Sequence, residues 1–215
     1  MEVVRAEGLS KRFAFTWALR DVNLSLGRGV HLLLGPNGSG KTTFLKLAVG
    51  MLRATNGRIR VLNLDPWRQW PQLAARVSFA MEGAPLPWWM TGRDFLCELC
   101  SMKGVGESRL EKLAAELGVD GYWGSSILTY SSGMAKRVLL LTAFLAEAEL
   151  YVLDEPFTLI DRPTIARVTK LIAELKDSGS TFLIATHYIP GDFEGLADTI
   201  VRFEDGRVVS VEKPA

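Results

Sequence analysis

Two short runs carry residues whose types and spacing suit chemistry on a phosphate. The first is GPNGSGKT at positions 35 to 42. It fits the pattern G-x-x-x-x-G-K-[ST] in full, behind a buried strand signal and ahead of a helix signal. Gly35, Gly38 and Gly40 let the backbone curl so that its N–H groups converge on phosphate oxygens, and the helix start adds its positive dipole end. Lys41 is expected to reach the β- and γ-phosphates, and Thr42 to offer its hydroxyl to Mg²⁺. Asn37, Ser39 and Thr43 complete the candidate nucleotide-binding set. The second run is LYVLDEP at 150 to 156, strand formers ending in two carboxylates. Asp154 suits Mg²⁺, held through water, and Glu155, one residue on and pointing elsewhere, suits a general base that polarises the attacking water. His187 directly follows TFLIAT, a strand signal, and at that strand's C-terminal end it can touch the γ-phosphate.

The elements that must position these groups are legible as patterns. Residues 2 to 34 read as short strands with turns, broken at Gly27 and Gly29. VHLLL suits a strand buried on both faces, and TTFLKLAVGML has helical spacing. Strand signals return at residues 58 to 62 and 76 to 80, then helical spacing dominates from Thr91 to about Ala146. Pro163 opens a helix whose Ile165, Val168, Ile172 and Leu175 share one face. A DG hairpin in FEDGRVVSV closes the chain. The expected fold is α/β, a mostly parallel sheet interrupted by an inserted helical subdomain at about 83–146, all within one domain of residues 1–215.

Bulk properties exclude several classes. A length of 215 residues with 48% hydrophobic content supports one sizeable core, and a net charge of +1 offers no field for nucleic acid. The longest apolar run, VLLLTAFLA, stops at Glu147, well short of the roughly 20 residues a membrane span needs. The N-terminus lacks the pattern of a signal peptide, so the expected location is the cytosol, in reach of a membrane protein. Cys97 and Cys100 have no second pair with which to build a zinc site; their i, i+3 spacing fits buried thiols on a helix face.

The ordered motifs together resemble the ATP-binding-cassette family of ATPase subunits. After GPNGSGKT comes YSSGMAKR at 130 to 137, similar to the family signature LSGGQ, then LYVLDEP, then TLID at 158 to 161, similar to the D-loop. His187 matches the switch histidine. Near the start, SKRFAFTWALRDV resembles the adenine-stacking segment and picks out Phe13. The resemblance implies a P-loop NTPase core of RecA type, with an N-terminal antiparallel β subdomain and a helical subdomain. It implies MgATP as the bound group. It also implies two cassettes, of the same or different chains, sandwiching ATP. Ser131 and Gly133 of one would then meet the γ-phosphate held by the other, and Asp161 would contact the facing P-loop. A separate membrane subunit would do the transporting, which places the chain peripherally on the cytoplasmic face. YSSGM followed by a basic pair is closer to export-type systems. The other class considered, a relative acting on ribosomes or DNA, lacks support from coiled-coil heptads or a basic patch. A non-hydrolysing regulatory subunit is at odds with an intact Lys41, Asp154, Glu155 and His187.

Two departures stand out. Ser132 and Met134 replace a glycine and the glutamine of the signature. Counting back from Thr91, the family's Q-loop glutamine falls on Glu82, in VSFAMEGAPLPWWM. Glu82 is either a third Mg²⁺-site oxygen donor, bringing extra negative charge, or an exposed loop carboxylate. Trp88 and Trp89 are either core of the helical insert or an aromatic surface on which the membrane subunit docks near Glu82–Trp89.

Overall fold

The computed structural model describes residues 2–193 and 195–214. Its N-terminal third alternates buried and exposed positions, which suits strands with one face covered. Strand β1 (Val4–Phe13) pairs antiparallel with β2 (Thr16–Leu26) and with β4 (Asn56–Val61), giving a three-stranded sheet of order β2-β1-β4. The short strands expected here are instead runs of 10 and 11 residues. They stay long because pairing slips between Ala6 and Leu9 rather than ending at the local turn signals. Such bulges absorb an extra residue while the ladder continues.

The second sheet has order β5-β6-β7-β3-β8-β9. Strands β3 (Val30–Leu34), β5 (Val77–Ala80), β6 (Leu150–Asp154), β7 (Thr181–Thr186) and β8 (Thr199–Glu204) run parallel, and β9 (Arg207–Glu212) folds back antiparallel on β8. Strand period two sends successive side chains to opposite faces. Leu33, Val152 and Leu183 therefore join one apolar cluster with α1 (Lys41–Ala48) and the antiparallel sheet. Leu32, Leu153 and Ile184 join a second cluster with the remaining helices. Both faces are covered, as the near-continuous apolar strands require.

Helix α1 stops at Ala48, short of the stretch through Leu52 that the spacing suggested, and a short α2 (Trp70–Ala74) was not expected. The helical block is broken too. It holds α3 (Gly92–Lys103), α4 (Glu107–Leu117) and α5 (Ser132–Phe144), with an irregular stretch between α4 and α5. Ser126 in that stretch bridges back to Thr91, just ahead of α3. Leu96, Leu110 and Leu113 share their cluster with Val138, Leu140 and Leu141 of α5 and with the sheet, so these helices do not build a core of their own. Cys100 is buried as expected; Cys97 is only half-buried at the cluster's edge. Helix α6 (Arg162–Asp177) buries Val168 and Ile172 against the same sheet face.

Candidate functional site

The C-terminal ends of β3, β6 and β7 lie side by side, because parallel pairing aligns Leu34 with Thr186 and Asp154 with Ala185. Each strand hands its chain to a functional loop at that edge. Strand β3 runs into residues 35–40, which lead straight into α1. Gly40, the residue before that helix, has φ 104, and a Cβ there would lie 2.7 Å from the Ala18 carbonyl oxygen. An L side chain would be both strained and obstructed.

Lys41 is 5% exposed. Its ammonium donates to the carbonyls of Gly35 at 2.7 Å and Pro36 at 3.1 Å, and lies 3.8 Å from Glu155 Oε1. The lysine thus ties the loop from inside. Thr42 Oγ1 donates to Asp154 Oδ1 at 3.0 Å. Asp154 is 1% exposed, and burial pushes its carboxyl above the ordinary range; the Thr42 hydroxyl opposes that shift and the Glu82 charge adds to it. Its second oxygen, Oδ2, is buried with no hydrogen-bond partner among the described residues. Leaving a carboxylate oxygen buried and unmatched is costly. A hydroxyl and a carboxylate side by side, one oxygen still unmatched, are hard donors that fit Mg²⁺.

Glu155 is buried and takes φ 49, a left-handed conformation that costs a non-glycine residue on the order of 1–2 kcal/mol. The backbone around it holds the turn, since its N–H donates to Ala185 O at 2.8 Å and its carbonyl accepts from Thr158 Oγ1 at 2.9 Å. The carboxylate is thereby aimed with one oxygen toward Lys41 and the other 2.8 Å from His187 Nδ1. The contact turns Nδ1 of the His187 ring to the carboxylate and Nε2 away from it. Tyr188 stacks edge-on to the His187 ring at 5.1 Å and donates its own hydroxyl to Phe157 O at 2.9 Å.

A cavity of about 390 Å³ opens over these groups, lined by Phe13, Ala18, residues 37–43, Glu82 and Glu155. Phe13, Asn37, Gly38, Ser39, Gly40, Thr42 and Thr43 are therefore together at one site. Glu82 lines it as well, with its side chain exposed.

The signature lies elsewhere. Ser131 caps α5, its hydroxyl accepting from Met134 N at 3.2 Å. Gly133 packs so closely that a Cβ would stand 2.7 Å from Leu159 O in the TLID loop. Asp161 caps α6 by accepting from Thr164 N at 3.3 Å, and Arg137 pairs with it at 3.1 Å. Nothing from residues 130–137 or 158–161 lines the cavity. Trp88 and Trp89 are 60% and 69% exposed, edge to face at 5.6 Å, which overturns the core reading for both. Beside them an apolar groove of about 330 Å³ is lined by Trp70, Phe79, Leu86, Phe95, Leu99 and Leu139.

In the sequence Lys136 and Arg137 stand out only as a basic pair behind YSSGM. Lys136 is 7% exposed, its ammonium donating to Asp154 O at 3.2 Å. The one signal for this was its place immediately ahead of the apolar run of α5.

The phosphate loop, the carboxylate pair and the signature helix are also what a known family has in common. The family model described as ABC transporter matches residues 19–158. The chain belongs to the ABC transporter family. As a member it binds ATP and hydrolyses it. This ABC cassette is 32% identical to the daunorubicin resistance ATP-binding protein DrrA2 of Streptomyces coeruleorubidus, over 98% of this chain and 67% of the relative. It is 30% identical to a fluoroquinolones export ATP-binding protein of Mycobacterium tuberculosis, over 99% of this chain and 71% of the relative. A solved structure described as the ATP binding subunit of an ABC transporter superposes with a TM-score of 0.86 at 26% identity, covering 98% of this cassette and 90% of that chain. The cassette thus spans about two thirds of the DrrA2 relative's length. No helix among its described residues is long and apolar enough to cross a membrane.

Proposed function

We propose that this ABC cassette is the motor of an export-type transporter, hydrolysing MgATP to drive a separate membrane subunit. The observation that carries the catalytic part is the buried Glu155 carboxylate, fixed between His187 Nδ1 at 2.8 Å and the Lys41 ammonium at 3.8 Å on the wall of the phosphate-loop cavity. The loop N–H groups and Lys41 bind the phosphates, and Phe13 offers its ring to the base. Thr42 and Asp154 would hold Mg²⁺, with Glu82 beside them. When bound, that ion neutralises charge on the phosphates as it develops. Glu155 accepts the proton of the attacking water, and His187, 2.8 Å from it through Nδ1, keeps the carboxylate oriented.

Residues 130–137 contribute nothing to the cavity of their own chain. That supports a second cassette whose Ser131 and Gly133, at a helix start, complete the site. Asp161, already engaged by Thr164 and Arg137, would then steer its loop toward that partner through the backbone. Trp88, Trp89 and the adjoining groove suit a helix of the membrane subunit, placing the chain peripherally at the cytoplasmic face. In this reading residues 1–215 form one domain, with 83–146 the helical part that meets the membrane subunit. The export direction is supported by the printed name of the fluoroquinolones relative. Nucleic acid has no part, in keeping with a net charge of +1.

The test is Glu155→Gln. Loss of a general base is expected to lower turnover by about 10²–10⁴-fold, while ATP binding persists and the protein elutes as an ATP-dependent dimer in size-exclusion chromatography. A variant that stays monomeric with ATP, or hydrolyses at the wild-type rate, would overturn the proposal.

A further inference from the structure

The Asp205–Gly206 turn joins β8 to β9 and plays no part in the proposed hydrolysis. Its residues have φ 47 and 77, the two positive values that a tight hairpin turn of this kind requires. Turn geometry alone does not explain what the turn rests against. The Gly206 N–H donates to Ser39 O, in the phosphate loop, at 3.1 Å, and the Gly206 carbonyl accepts from Arg20 N–H, in β2, at 2.8 Å. One residue near the end of the sequence thus bridges the loop and β2. The fit leaves no room for a side chain: a Cβ on Gly206 would stand 2.8 Å from Ala18 O and 3.3 Å from Leu19 Cα. The same Ala18 oxygen would stand 2.7 Å from a Cβ on Gly40, so Ala18, Gly40 and Gly206 meet at one point. Strand β8 supports the loop as well. Gly35, where the loop begins, lies so close to Phe203 O that a Cβ would collide with it, and the Phe203 ring packs 5.7 Å from that of Phe44 in α1.

In a trans peptide the C=O and N–H point in opposite directions. Holding Ser39 O toward the hairpin therefore turns the next N–H, that of Gly40, away from it. Ser39, Gly40 and Ala18 line the nucleotide cavity, and Gly206 does not. We propose that Gly206 is a positioning residue for the nucleotide: its peptide groups fix the orientation of the Ser39–Gly40 peptide and the spacing between the phosphate loop and β2. The role rests on nucleotide binding at this loop, which Glu155→Gln leaves in place, so the two proposals fail separately.

The test is calorimetric titration of MgADP into the nucleotide-free full chain, alongside urea denaturation. Carbon and carbonyl oxygen in ordinary contact stand about 3.3–3.6 Å apart, so alanine at 206 must push the turn or Ala18 back by roughly 0.5–0.8 Å. A misplacement of about 1 Å can cost about 10²-fold, so Gly206→Ala should bind MgADP at least about tenfold more weakly under conditions where it is fully folded. Asp205→Gly alters the same turn at an exposed position of positive φ and should bind as wild type does. A merely structural glycine would lower the urea midpoint and leave MgADP affinity unchanged, and that result overturns the proposal. An equal loss in Asp205→Gly overturns it too, because the effect would then belong to any change in the turn. Should Gly206→Ala fail to fold, hydrogen exchange in the wild-type protein decides. MgADP should slow exchange of the Gly206 amide at least about tenfold more than that of the β4 amides, because the bound loop holds Ser39 O in place. Uniform slowing would report global stabilisation by the ligand alone and overturns the proposal.

Discussion

Gly133→Ala sets two effects of opposite sign against each other in one methyl group. Gly133 lies in the first turn of α5, where alanine in place of glycine favours the helix by about 1 kcal/mol. The added Cβ, however, would lie 2.7 Å from the Leu159 carbonyl oxygen. Carbon and carbonyl oxygen in ordinary contact stand about 3.3–3.6 Å apart, so one side must retreat by roughly 0.6–0.9 Å. The obstacle is backbone, and its loop is held: Leu159 has φ 62, and Asp161 is engaged by both Thr164 and Arg137. Forcing a methyl into a packed site costs about 1–3 kcal/mol. Set against the helix gain, the clash leaves a net loss of up to about 2 kcal/mol. For a domain of this size that lowers Tm by up to about 8 °C. The same displacement moves the TLID loop, which begins three residues beyond Glu155, so ATPase turnover should fall with Tm. Ser132→Ala, at the exposed neighbouring position, is the control and should melt as wild type does. The measurement is thermal unfolding of nucleotide-free protein together with steady-state ATPase. A Gly133→Ala protein that is as stable as wild type and hydrolyses as fast would refute the contact as the reason for glycine.

The core and the surface supply two further predictions. His31 is buried, with Nε2 2.9 Å from Gly27 O. Burial pushes its ionisation below the ordinary 6.5, the Gly27 carbonyl and Asp198 partly offsetting this and Lys176 adding to it. The folded value lies below the unfolded one, so the stability conferred is present above pH 6.5 and is lost as pH falls through the lower folded value. Urea denaturation should show stability falling toward about 1.4 kcal/mol per pH unit in acid, and His31→Gln should flatten that slope; equal slopes in the two proteins would count against it. For Trp88→Ser and Trp89→Ser, exposure of 60% and 69% predicts unfolding free energies within about 0.5 kcal/mol of wild type, with co-purification of the membrane subunit lost. A substantial drop in stability would mean the rings are structural after all.

Much of the fold was legible because its signals are local. Four of the parallel strands, β3, β5, β6 and β7, read from local strand signals, and the Asp205–Gly206 hairpin read from its dipeptide. The misreadings occurred where neighbours overrode local cues. Strands β1 and β2 run longer than expected because pairing continues past the register slips, although β2 does end just before Gly27 and Gly29. The helical block breaks between α4 and α5, where Ser126 bridges back to Thr91 ahead of α3. Trp88 and Trp89 read equally as core or as a surface, and the structure leaves both exposed.

What the sequence determined by itself is the inventory and its order: a phosphate loop, a carboxylate pair, a signature and a terminal histidine, each on a recognisable strand edge or helix start. Those assignments survive because a glycine-rich loop, a capping serine and a buried strand are specified by residues within a few positions of one another. Only the tertiary structure decided the pairings. Glu155 meets His187 across 32 positions, Thr42 meets Asp154 across 112, and Lys136 turns inward to the end of β6. Each depends on which strands lie side by side and which face a helix presents, and contact between distant positions is set by the packed whole rather than by any window of the chain.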